Sequence, residues 1–248
     1  MSPPVFQAPI AGLPVGGRVV LDGPEGHHAA TVRRVRAGER VLLTDGAGSA
    51  ADCVVDQVGR DRATLTVLAV WLTPAPAPRL VVVQALPKGD RGETAVETLT
   101  EVGVDVIVPW SAARCVTQWK DERAAKALAR WRSAARQAAK QSRRTRWPEV
   151  TEQAGTAAVC ARLAAAALGV VLDQGSSRAL AATVVPPAGE VVIVVGPEGG
   201  VDDAELAAFS AAGAQSYRLG ESVLRTSTAG TVAASVLLAA TARWGGRR

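Results

Sequence analysis

Four long apolar runs after residue 78 constrain the fold of this chain more than any other feature. Segments with apolar residues at helical spacing separate the runs, which are RLVVVQAL (79–86), VDVIVPW (104–110), GVVLDQ (169–174) and EVVIVVG (190–196). Strands that are buried on both faces are continuously apolar, and their alternation with helices is typical of a parallel sheet. The sequence therefore predicts an α/β domain in which helices cover both faces of a parallel sheet.

The segments between and after these runs carry helix signals. GETAVETLTEVG (92–103) has apolar residues at helical spacing and ends on a glycine, and a long helix is expected from about Asp121 to Gln141. Further helices are predicted at 202–212 and 228–243, with a strand in SYRLG (216–220) between them. The α/β pattern therefore continues beyond residue 240.

The first 70 or so residues have a different pattern, in which β-branched runs are broken by turn residues. These runs are GRVVLDG (17–23), ERVLLTDGAGS (39–49), ADCVVDQVG (51–59) and RATLTVLAVW (62–71). Their spacing predicts a small β-barrel. TPAPAP (73–78) then places three prolines in six residues, which stiffens the chain and marks a boundary. We therefore predict two domains, at 1–73 and 78–248.

Composition excludes several classes of protein. The three cysteines, Cys53, Cys115 and Cys160, show neither metal spacing nor a disulfide framework, which favours reduced thiols in a cytosolic protein. MSPPVFQAPI (1–10) lacks the pattern of a signal peptide, and ARLAAAALGVVL (161–172) is too short to span a bilayer. We therefore expect a cytoplasmic protein with no membrane segment and no bound metal.

The stretch VVGPEGGVDDAEL (194–206) leads from a buried strand directly into an elaborate turn. Asp202 and Glu205 form a capping-box pattern for the helix that follows. Gly196 permits close approach of the backbone, Pro197 fixes one dihedral angle, and Gly199 and Gly200 permit positive φ. The turn is neither a P-loop nor a GxGxxG motif, and it lies where open α/β sheets bind ligands. We interpret it as a ligand-binding turn.

A second stretch, YRLGESVLRTSTAG (217–230), repeats the order of strand, glycine, irregular loop and helix. Arg225 lies in the loop, and the start of the last helix offers the hydroxyls of Thr226, Ser227 and Thr228. Taken alone, this stretch also fits a helix N-cap with a surface arginine. Two such loops after neighbouring strands favour a ligand site.

Five segments of the chain are similar to those of a known family. In the predicted α/β domain they are ALPKGDRGETAVETLTEVGVDVIVP (85–109), RWRSAARQAAKQSRRTRWPEV (130–150), VVGPEGGVDDAEL and LGESVLRTSTA; the fifth is GPEGHHAATVRRVRAGERVLLTDGAG (23–48). Together they resemble the RsmE family of bacterial small-subunit ribosomal RNA uridine N3-methyltransferases, of the SPOUT superfamily. The fifth segment resembles the PUA-like RNA-binding domain of that family.

The resemblance implies a fold, a reaction and partners. The fold would be an N-terminal PUA-like β-barrel domain followed by a SPOUT α/β methyltransferase domain with a C-terminal trefoil knot. The enzyme would be a homodimer that uses S-adenosylmethionine. Its substrate would be a specific uridine of 16S ribosomal RNA in the assembled 30S subunit, and the reaction would need no metal.

The resemblance also implies site residues. It assigns cofactor binding to Leu172, Gly196, Pro197, Glu198, Gly199, Gly200, Leu219, Gly220, Val223, Leu224 and Thr228. We expect Arg225 to stabilise negative charge on the uracil, and Glu198 either to act as a base or to brace the turn. Ser227 stands where the family commonly has glutamate, so no essential base is identified at that position.

Positive charge is concentrated in one segment. Residues 120–146 carry ten Lys or Arg and two acidic residues, whereas the whole chain has a net charge of only +5. Such a concentration is expected of a phosphate-binding surface, although a solvated helix face has the same pattern. The predicted RNA contacts are Arg33, Arg34, Arg36, Lys88, Arg91, Arg136, Lys140, Gln141, Arg143, Arg144 and Arg146. His27 and His28 match a family pair and are expected to be structural or to contact RNA.

Three other functions fit parts of the pattern. The same fold would also suit methylation of ribose 2′-hydroxyls in transfer RNA, which product analysis distinguishes. An RNA-binding assembly factor without catalysis is kept open by Ser227, whereas the intact glycine turn and Arg225 argue against it. A nucleotide-binding α/β domain is disfavoured because phosphate-loop signatures are absent.

Overall fold

The computed structural model describes residues 3–244 and divides the chain into two compact units. The first unit takes the chain up to Ala75 together with Ala139–Trp147, and the second takes Pro76–Ala138 and the chain from Pro148 onward. The proline segment at 73–78 spans the first change of unit. The return of residues 139–147 to the first unit has no counterpart in the sequence prediction.

The first unit is a mixed five-stranded sheet that curls around its own apolar core. Its strands are β1 (Val5–Gln7), β2 (Arg18–Leu21), β3 (Arg40–Thr44), β4 (Ser49–Gly59) and β5 (Arg62–Leu72). They lie in the order β1-β3-β4-β5-β2, with β1 parallel to β3 and the other pairs antiparallel. Helix α1 (Gly23–His27) continues into a π-helical turn at His28–Val32.

The GPEGHH motif forms a structural corner of the first unit. A Cβ on Gly26 would lie 2.4 Å from the carbonyl oxygen of Asp61, so only glycine fits there. Nδ1 of His27 is 2.7 Å from Oδ1 of Asp61, and this hydrogen bond lowers the pKa of the Asp61 carboxyl. The ring of His28 packs edge-on against Phe6. Both histidines therefore contact residues of their own unit.

Residues 139–147 belong to the first unit because they bond to its turns. The backbone N–H of Gly48 donates to the carbonyl oxygen of Thr145 at 3.0 Å. Nε of Arg146 donates to the carbonyl oxygen of Thr73 at 2.7 Å. These bonds link segments about 70 to 100 residues apart, a separation at which local sequence patterns carry no information.

The second unit contains a six-stranded sheet in which every pair is parallel. Its strands are β6 (Arg79–Ala85), β7 (Val106–Trp110), β8 (Glu149–Val150), β9 (Leu168–Leu172), β10 (Glu190–Val195) and β11 (Gln215–Tyr217), in the order β11-β9-β10-β6-β7-β8. The central strands are almost wholly buried. The parallel sheet predicted from the apolar runs is therefore confirmed.

Within residues 3–244, five α-helices accompany this sheet. They are α2 (Arg91–Val102), α3 (Asp121–Gln141), α4 (Thr156–Ala165), α5 (Asp203–Ala211) and α6 (Thr226–Ala239), and a 3-10 turn covers Leu180–Ala182. Helix α3 has the predicted bounds, and its last three residues belong to the first unit. Helix α6 packs against α2, and α4 packs against α5.

The last strand is shorter than predicted. It ends at Tyr217, whereas the sequence suggested that it continues to residue 220. The reason is that Arg218 bonds to the segment after β9. Its N–H donates to the carbonyl oxygen of Arg178 at 2.8 Å, and its own carbonyl oxygen accepts from Leu180 at 3.0 Å.

The last helix begins and ends earlier than the predicted range of 228–243. After Ala239 the chain leaves the helical path, and Arg243 turns toward the start of the sheet. Its guanidinium donates to both carboxylate oxygens of Asp105, at 2.6 and 3.2 Å. Within residues 3–244, none of the helices has the length and apolarity needed to cross a membrane.

Candidate active site

Three loops of the second unit leave the sheet along one edge. Strands β11, β9 and β10 are consecutive in the sheet, so the loops that follow Tyr217, Leu172 and Val195 lie side by side. Together with residues from the first turns of α2 and α6, these loops line a cavity of about 530 Å³. A cavity of this size at strand carboxyl ends is typical of a small-molecule site.

The cavity brings together most of the predicted cofactor-binding residues. Ten of the eleven line it: Leu172, Gly196, Pro197, Glu198, Gly199, Gly200, Leu219, Gly220, Val223 and Leu224. Thr228 is not among the lining residues, and its hydroxyl donates to the carbonyl oxygen of Arg225 at 3.1 Å. Arg91, which the sequence assigned to RNA contact, lines the cavity together with Arg225.

The glycine turn, residues 196–200, places main-chain groups without bulky side chains at the cavity. A Cβ on Gly196 would lie 2.8 Å from Cγ2 of Val201, so a larger residue would open the turn. Gly200 has a φ of 75°, and its N–H donates to the carbonyl oxygen of Pro197 at 2.9 Å. The turn is therefore a compact structure that exposes peptide groups to a ligand.

The buried carboxylate of Glu205 stabilises the glycine turn. The predicted capping box of α5 is present, with Asp202 at the N-cap and Glu205 reaching back to its N–H. Glu205 is buried, and its Oε1 also accepts from the N–H of Ala113 and from the hydroxyl of Thr156, both at 2.9 Å. The capping role was readable from the sequence, whereas the two additional donors were not.

Arg114 binds the same turn through three groups. Its Nη1 lies 3.3 Å from the carbonyl oxygen of Gly199 and 3.4 Å from that of Val201. Its Nη2 lies 3.1 Å from Oδ2 of Asp202. Sequence reasoning missed Arg114 because it follows a different strand, 85 residues before Gly199.

Glu198 makes a hydrogen bond within the protein. Its Oε1 accepts from the backbone N–H of Lys88 at 3.2 Å. Lys88 follows β6, so the bond connects the loop after β6 to the turn after β10. Of the two interpretations that the sequence left open, this geometry favours bracing over proton abstraction.

Arg225 lies at the start of helix α6, which is held in place by a buried hydrogen bond. It occupies the N-cap position of α6 with an extended backbone, and its exposed side chain lines the cavity. Gln84, which is fully buried, donates from Nε2 to the carbonyl oxygen of Thr226 at 3.3 Å. Ser227 is buried in the same turn. Gln84 therefore ties the helix start to strand β6, a contact that sequence reasoning missed.

The cavity wall carries both signs of charge. Arg91, Arg218 and Arg225 supply guanidinium groups, and Asp173 and Glu198 supply carboxylates. Sequence reasoning missed Asp173 and Arg218. Each directly follows the last residue of a strand, β9 or β11, and this position was the signal available for both.

Comparison with known proteins identifies the family. A family model described as RNA methyltransferase domain matches residues 73–238, and one described as RNA methyltransferase PUA domain matches residues 21–68. A Mycobacterium tuberculosis protein named Ribosomal RNA small subunit methyltransferase E is 47% identical over 94% of this chain and 90% of its own length. A Bacillus subtilis protein of the same name is 30% identical over 88% of each chain. The chain belongs to the ribosomal RNA small subunit methyltransferase E family.

Solved structures share the fold. A Legionella pneumophila protein in complex with the cofactor SAM matches with a TM-score of 0.86 and 28% identity, over 97% of this chain and 99% of that one. A ribosomal RNA small subunit methyltransferase E from Neisseria gonorrhoeae, bound to S-adenosyl methionine, matches with a TM-score of 0.83 and 29% identity, over 96% and 97%. The predicted fold class, a SPOUT-type α/β methyltransferase domain after a PUA-like domain, is therefore confirmed.

In this member of the ribosomal RNA small subunit methyltransferase E family, the predicted RNA contacts differ in exposure. Eight have exposed side chains: Arg33, Arg34, Arg36, Lys88, Arg91, Arg136, Gln141 and Arg143. Arg144 and Arg146 are half-buried, and Arg146 already donates to Thr73. The eight exposed residues can reach an external ligand without rearrangement.

Lys140 differs from the other predicted contacts because it is buried. The residue is 8% exposed, and its Nζ lies 2.5 Å from Oε1 of Glu25. The second oxygen of Glu25 accepts from the backbone N–H of Gln7 at 3.1 Å. A buried ammonium group needs such a partner. The geometry fits an internal ion pair of the first unit rather than a contact with RNA.

The cysteines and the metal-ligating residue types form no site in the described part of the chain. Within residues 3–244, no group of three or more His, Cys, Asp or Glu is placed to hold a metal ion. Burial raises the pKa of the Cys53 thiol to about 11 and also raises the pKa of Cys115. Both thiols therefore stay protonated near neutral pH, which disfavours a nucleophilic role.

Proposed function

We propose that this chain is a cytoplasmic, homodimeric enzyme that methylates N3 of a specific uridine in 16S ribosomal RNA, with S-adenosylmethionine as donor and the assembled small subunit as substrate. The observation that carries the proposal is the cavity at the ends of β9, β10 and β11, where the glycine turn and Arg225 face one space. Family membership supports the ribosomal RNA part of the proposal, since the relatives are named as small-subunit ribosomal RNA methyltransferases.

The cavity fits S-adenosylmethionine in size and in chemistry. Its volume of about 530 Å³ lies within the range of pockets that hold cofactors. Leu172 and Val223 would provide apolar surface for an adenine ring, and the backbone of residues 196–200 would provide hydrogen-bonding groups. The carboxylates of Asp173 and Glu198 suit a ligand with positive charges. When bound, the cofactor would supply a methyl group that is activated by its attachment to a cationic sulfur. After transfer, the remainder of the cofactor would be a neutral thioether.

The main task of the protein concerns the acceptor, because N3 of uracil carries a proton and is a poor nucleophile. Loss of that proton spreads negative charge over the ring carbonyl oxygens. We assign Arg225 to the stabilisation of this charge, and Arg91 adds a second positive charge at the same cavity. The methyl group replaces the proton at N3, so the methylated base is neutral. The target base must leave its stack to reach the cavity.

We assign Glu198 to bracing rather than to proton removal. Its bond to the N–H of Lys88 holds the glycine turn against the loop after β6. In this proposal the proton passes to solvent, and the acceleration comes from alignment and charge stabilisation. The alternative, in which Glu198 takes the proton, is separated from bracing by the substitutions described in the Discussion.

We further propose that domain 1–73 binds RNA and that domain 78–248 carries out methyl transfer, with a trefoil knot near its C-terminal end. Residues 139–147 add exposed Gln141 and Arg143 to the first unit. The exposed basic residues would neutralise phosphates of the RNA, so binding should weaken as salt concentration rises. No metal takes part.

The test is methyl transfer to small ribosomal subunits taken from cells that lack this gene. The protein is incubated with labelled S-adenosylmethionine and either these subunits or protein-free 16S ribosomal RNA, and the labelled nucleoside is identified after digestion. We expect N3-methyluridine, formed on the assembled subunit. A labelled 2′-O-methyl nucleoside would contradict the substrate assignment. Cofactor binding without any transfer would instead indicate an RNA-binding assembly factor.

A further inference from the structure

A groove on the first unit combines an aromatic ring with several arginines. It has a volume of about 750 Å³, and its lining includes Arg33, Arg34, Glu39, Arg40, Leu42, Asp52 and Trp71. None of these residues lines the methyltransferase cavity. The groove is therefore a separate concave surface of the same chain.

The floor of the groove is one face of the β3–β4–β5 ladder. Leu42 pairs with Asp52, and Ala50 pairs with Trp71. Residues opposite each other in an antiparallel pair share a face, as do residues two apart along one strand. Leu42, Asp52 and Trp71 therefore lie on the same face of the sheet.

Trp71 is unusually exposed for its type. It is 41% exposed, whereas tryptophan is highly buried on average. The apolar core of the first unit is built from other residues, among them Phe6, Leu43 and Leu65. Core packing therefore does not account for a tryptophan at this position. An exposed indole ring offers a stacking surface for a nucleobase.

The charges of the groove favour an anionic ligand. Nε of Arg40 donates to Oδ1 of Asp52 at 2.9 Å, and the charges of this pair cancel. Among the other charged residues that line the groove, Arg33 and Arg34 are positive and exposed, and Glu39 is negative, so the net charge is positive. Proteins bind single-stranded nucleic acid by such a combination, in which bases stack on aromatic rings and cations contact the phosphates.

We propose that this groove binds an unpaired segment of the RNA substrate, with one base stacked on Trp71 and neighbouring phosphates bound by Arg33 and Arg34. The inference rests on the proposed function for the identity of the RNA. It adds that the first unit reads a single strand rather than a duplex. A duplex cannot supply the contact because its bases are already stacked and paired inside the helix.

The test measures binding of labelled hexauridylate, and of an RNA duplex of equal length, to the full chain at several salt concentrations. Trp71→Ala should weaken hexauridylate binding about tenfold, the effect expected for loss of one stacked base. Trp71→Phe keeps an aromatic ring and should bind within about threefold of the unsubstituted protein. The double change Arg33→Ala, Arg34→Ala should reduce the slope of log affinity against log salt by about 1.4, since two single-strand phosphate contacts are lost.

Two control variants match these changes. Arg60→Ala with Arg62→Ala removes two exposed arginines, one from the turn after β4 and one from the first position of β5, and the salt slope should not change. Leu72→Ala removes a side chain next to Trp71 that is 66% exposed and does not line the groove. Its affinity for hexauridylate should stay within about twofold of the unsubstituted protein.

Three results would overturn the groove assignment. The first is equal hexauridylate affinity for Trp71→Ala and the unsubstituted protein. The second is a loss of duplex affinity in Trp71→Ala as large as its loss of hexauridylate affinity. The third is a difference in sedimentation coefficient between Trp71→Ala and the unsubstituted protein, which would indicate that Trp71 lies in a contact between copies of the chain. Methylation of small subunits is measured in parallel. If the protein methylates small subunits but the Trp71 substitution does not change RNA affinity, only the groove assignment is wrong. If RNA affinity depends on Trp71 but no methyl transfer occurs, only the proposed function is wrong.

Discussion

At the scale of single residues, one contact often decides between roles that the residue type leaves open. Glu198 has the chemistry of a base, yet its Oε1 accepts from the N–H of Lys88. Lys140 has the charge expected for phosphate binding, yet it is buried against Glu25. Both partners lie more than 100 residues away along the chain. The residue type therefore limits the possible roles, and the tertiary contact selects one of them.

Two substitutions distinguish bracing of the turn by Glu198 from proton removal by Glu198. Glu198→Gln keeps an oxygen that accepts from Lys88 but cannot take a proton, so we expect it to retain kcat within about threefold. Glu198→Ala removes the acceptor and should weaken cofactor binding about fivefold, because a hydrogen bond is worth roughly 1 kcal/mol. Single-turnover rates and calorimetric Kd values measure the two effects. A loss of more than 100-fold in kcat for Glu198→Gln would instead make this residue the base.

Arg225→Ala should act on the reaction far more than on cofactor binding. Loss of a group that stabilises developing charge lowers kcat by roughly 100- to 1,000-fold. The Kd for S-adenosylmethionine should change by less than about threefold, because Arg225 is assigned to the uracil. Methyl-transfer kinetics and calorimetry provide the comparison. Equal losses in kcat and in cofactor affinity would contradict the assignment.

His28 should make the stability of the first unit depend on pH. Burial, and then the nearby Lys140 ammonium, lower the pKa of His28 below its ordinary value of 6.5. The unfolded chain therefore takes up a proton first, and stability is lost as pH falls through about 6.5. Urea unfolding at pH 7.5 and pH 5.5 should show a lower midpoint at pH 5.5. His28→Gln should reduce this difference, and an unchanged difference would rule out His28 as its source.

At the scale of elements, the glycine turn depends on segments that are distant in sequence. Helix α5 begins with a capping box that is readable from the sequence. The carboxylate of Glu205 also binds the segment after β7 and the first residue of α4. The turn between β10 and α5 is therefore held by two neighbouring elements as well as by its own residues.

Glu205→Ala should loosen the turn without touching any residue that lines the cavity. Three donors, in Ala113, Thr156 and Asp202, would lose their acceptor, and an unsatisfied buried donor costs about 1–3 kcal/mol. We expect cofactor affinity to fall about tenfold, with kcat at saturating cofactor nearly unchanged. Asp203→Ala, an exposed acidic neighbour in the same helix turn, is the matched control. Similar cofactor affinities in the two variants would contradict the bracing role.

At the scale of the whole molecule, the chain closes the second unit by returning from α6 to the start of the sheet. Arg243 donates to both oxygens of Asp105, and Asp105 also accepts from the N–H of Leu80 at 2.8 Å. The side chains of this pair are 15% and 9% exposed. The ion pair therefore connects the end of α6 to the beginnings of β6 and β7.

Arg243→Ala should destabilise the second unit strongly. The substitution removes one partner of a buried ion pair, which costs about 3–5 kcal/mol. Urea unfolding followed by circular dichroism should show a large decrease in the midpoint. Arg123→Ala removes an exposed arginine from α3 and should change stability by less than about 0.5 kcal/mol. Equal midpoints for the two variants would contradict the closing role of the ion pair.

The features that could be predicted from the sequence are those set by local patterns. The apolar runs predicted the parallel sheet, the Asp202 and Glu205 spacing predicted the capping box, and most of the predicted cofactor-binding residues line one cavity. Arg114, Gln84 and the buried state of Lys140 could not be predicted. Each of these depends on a partner 85 to 142 residues away, and a single sequence contains no signal for such pairs.

The return of residues 139–147 to the first unit has a consequence for synthesis on the ribosome. The segment up to Ala75 emerges first, but it still lacks Thr145, Arg146 and the ion-pair partner of Glu25. At roughly 5–20 residues per second, the missing piece follows about 4–14 s later. During that interval the nascent first unit lacks the contacts that residues 139–147 supply. Biosynthesis of the N-terminal unit therefore finishes only after the Pro76–Ala138 part of the second unit has been made.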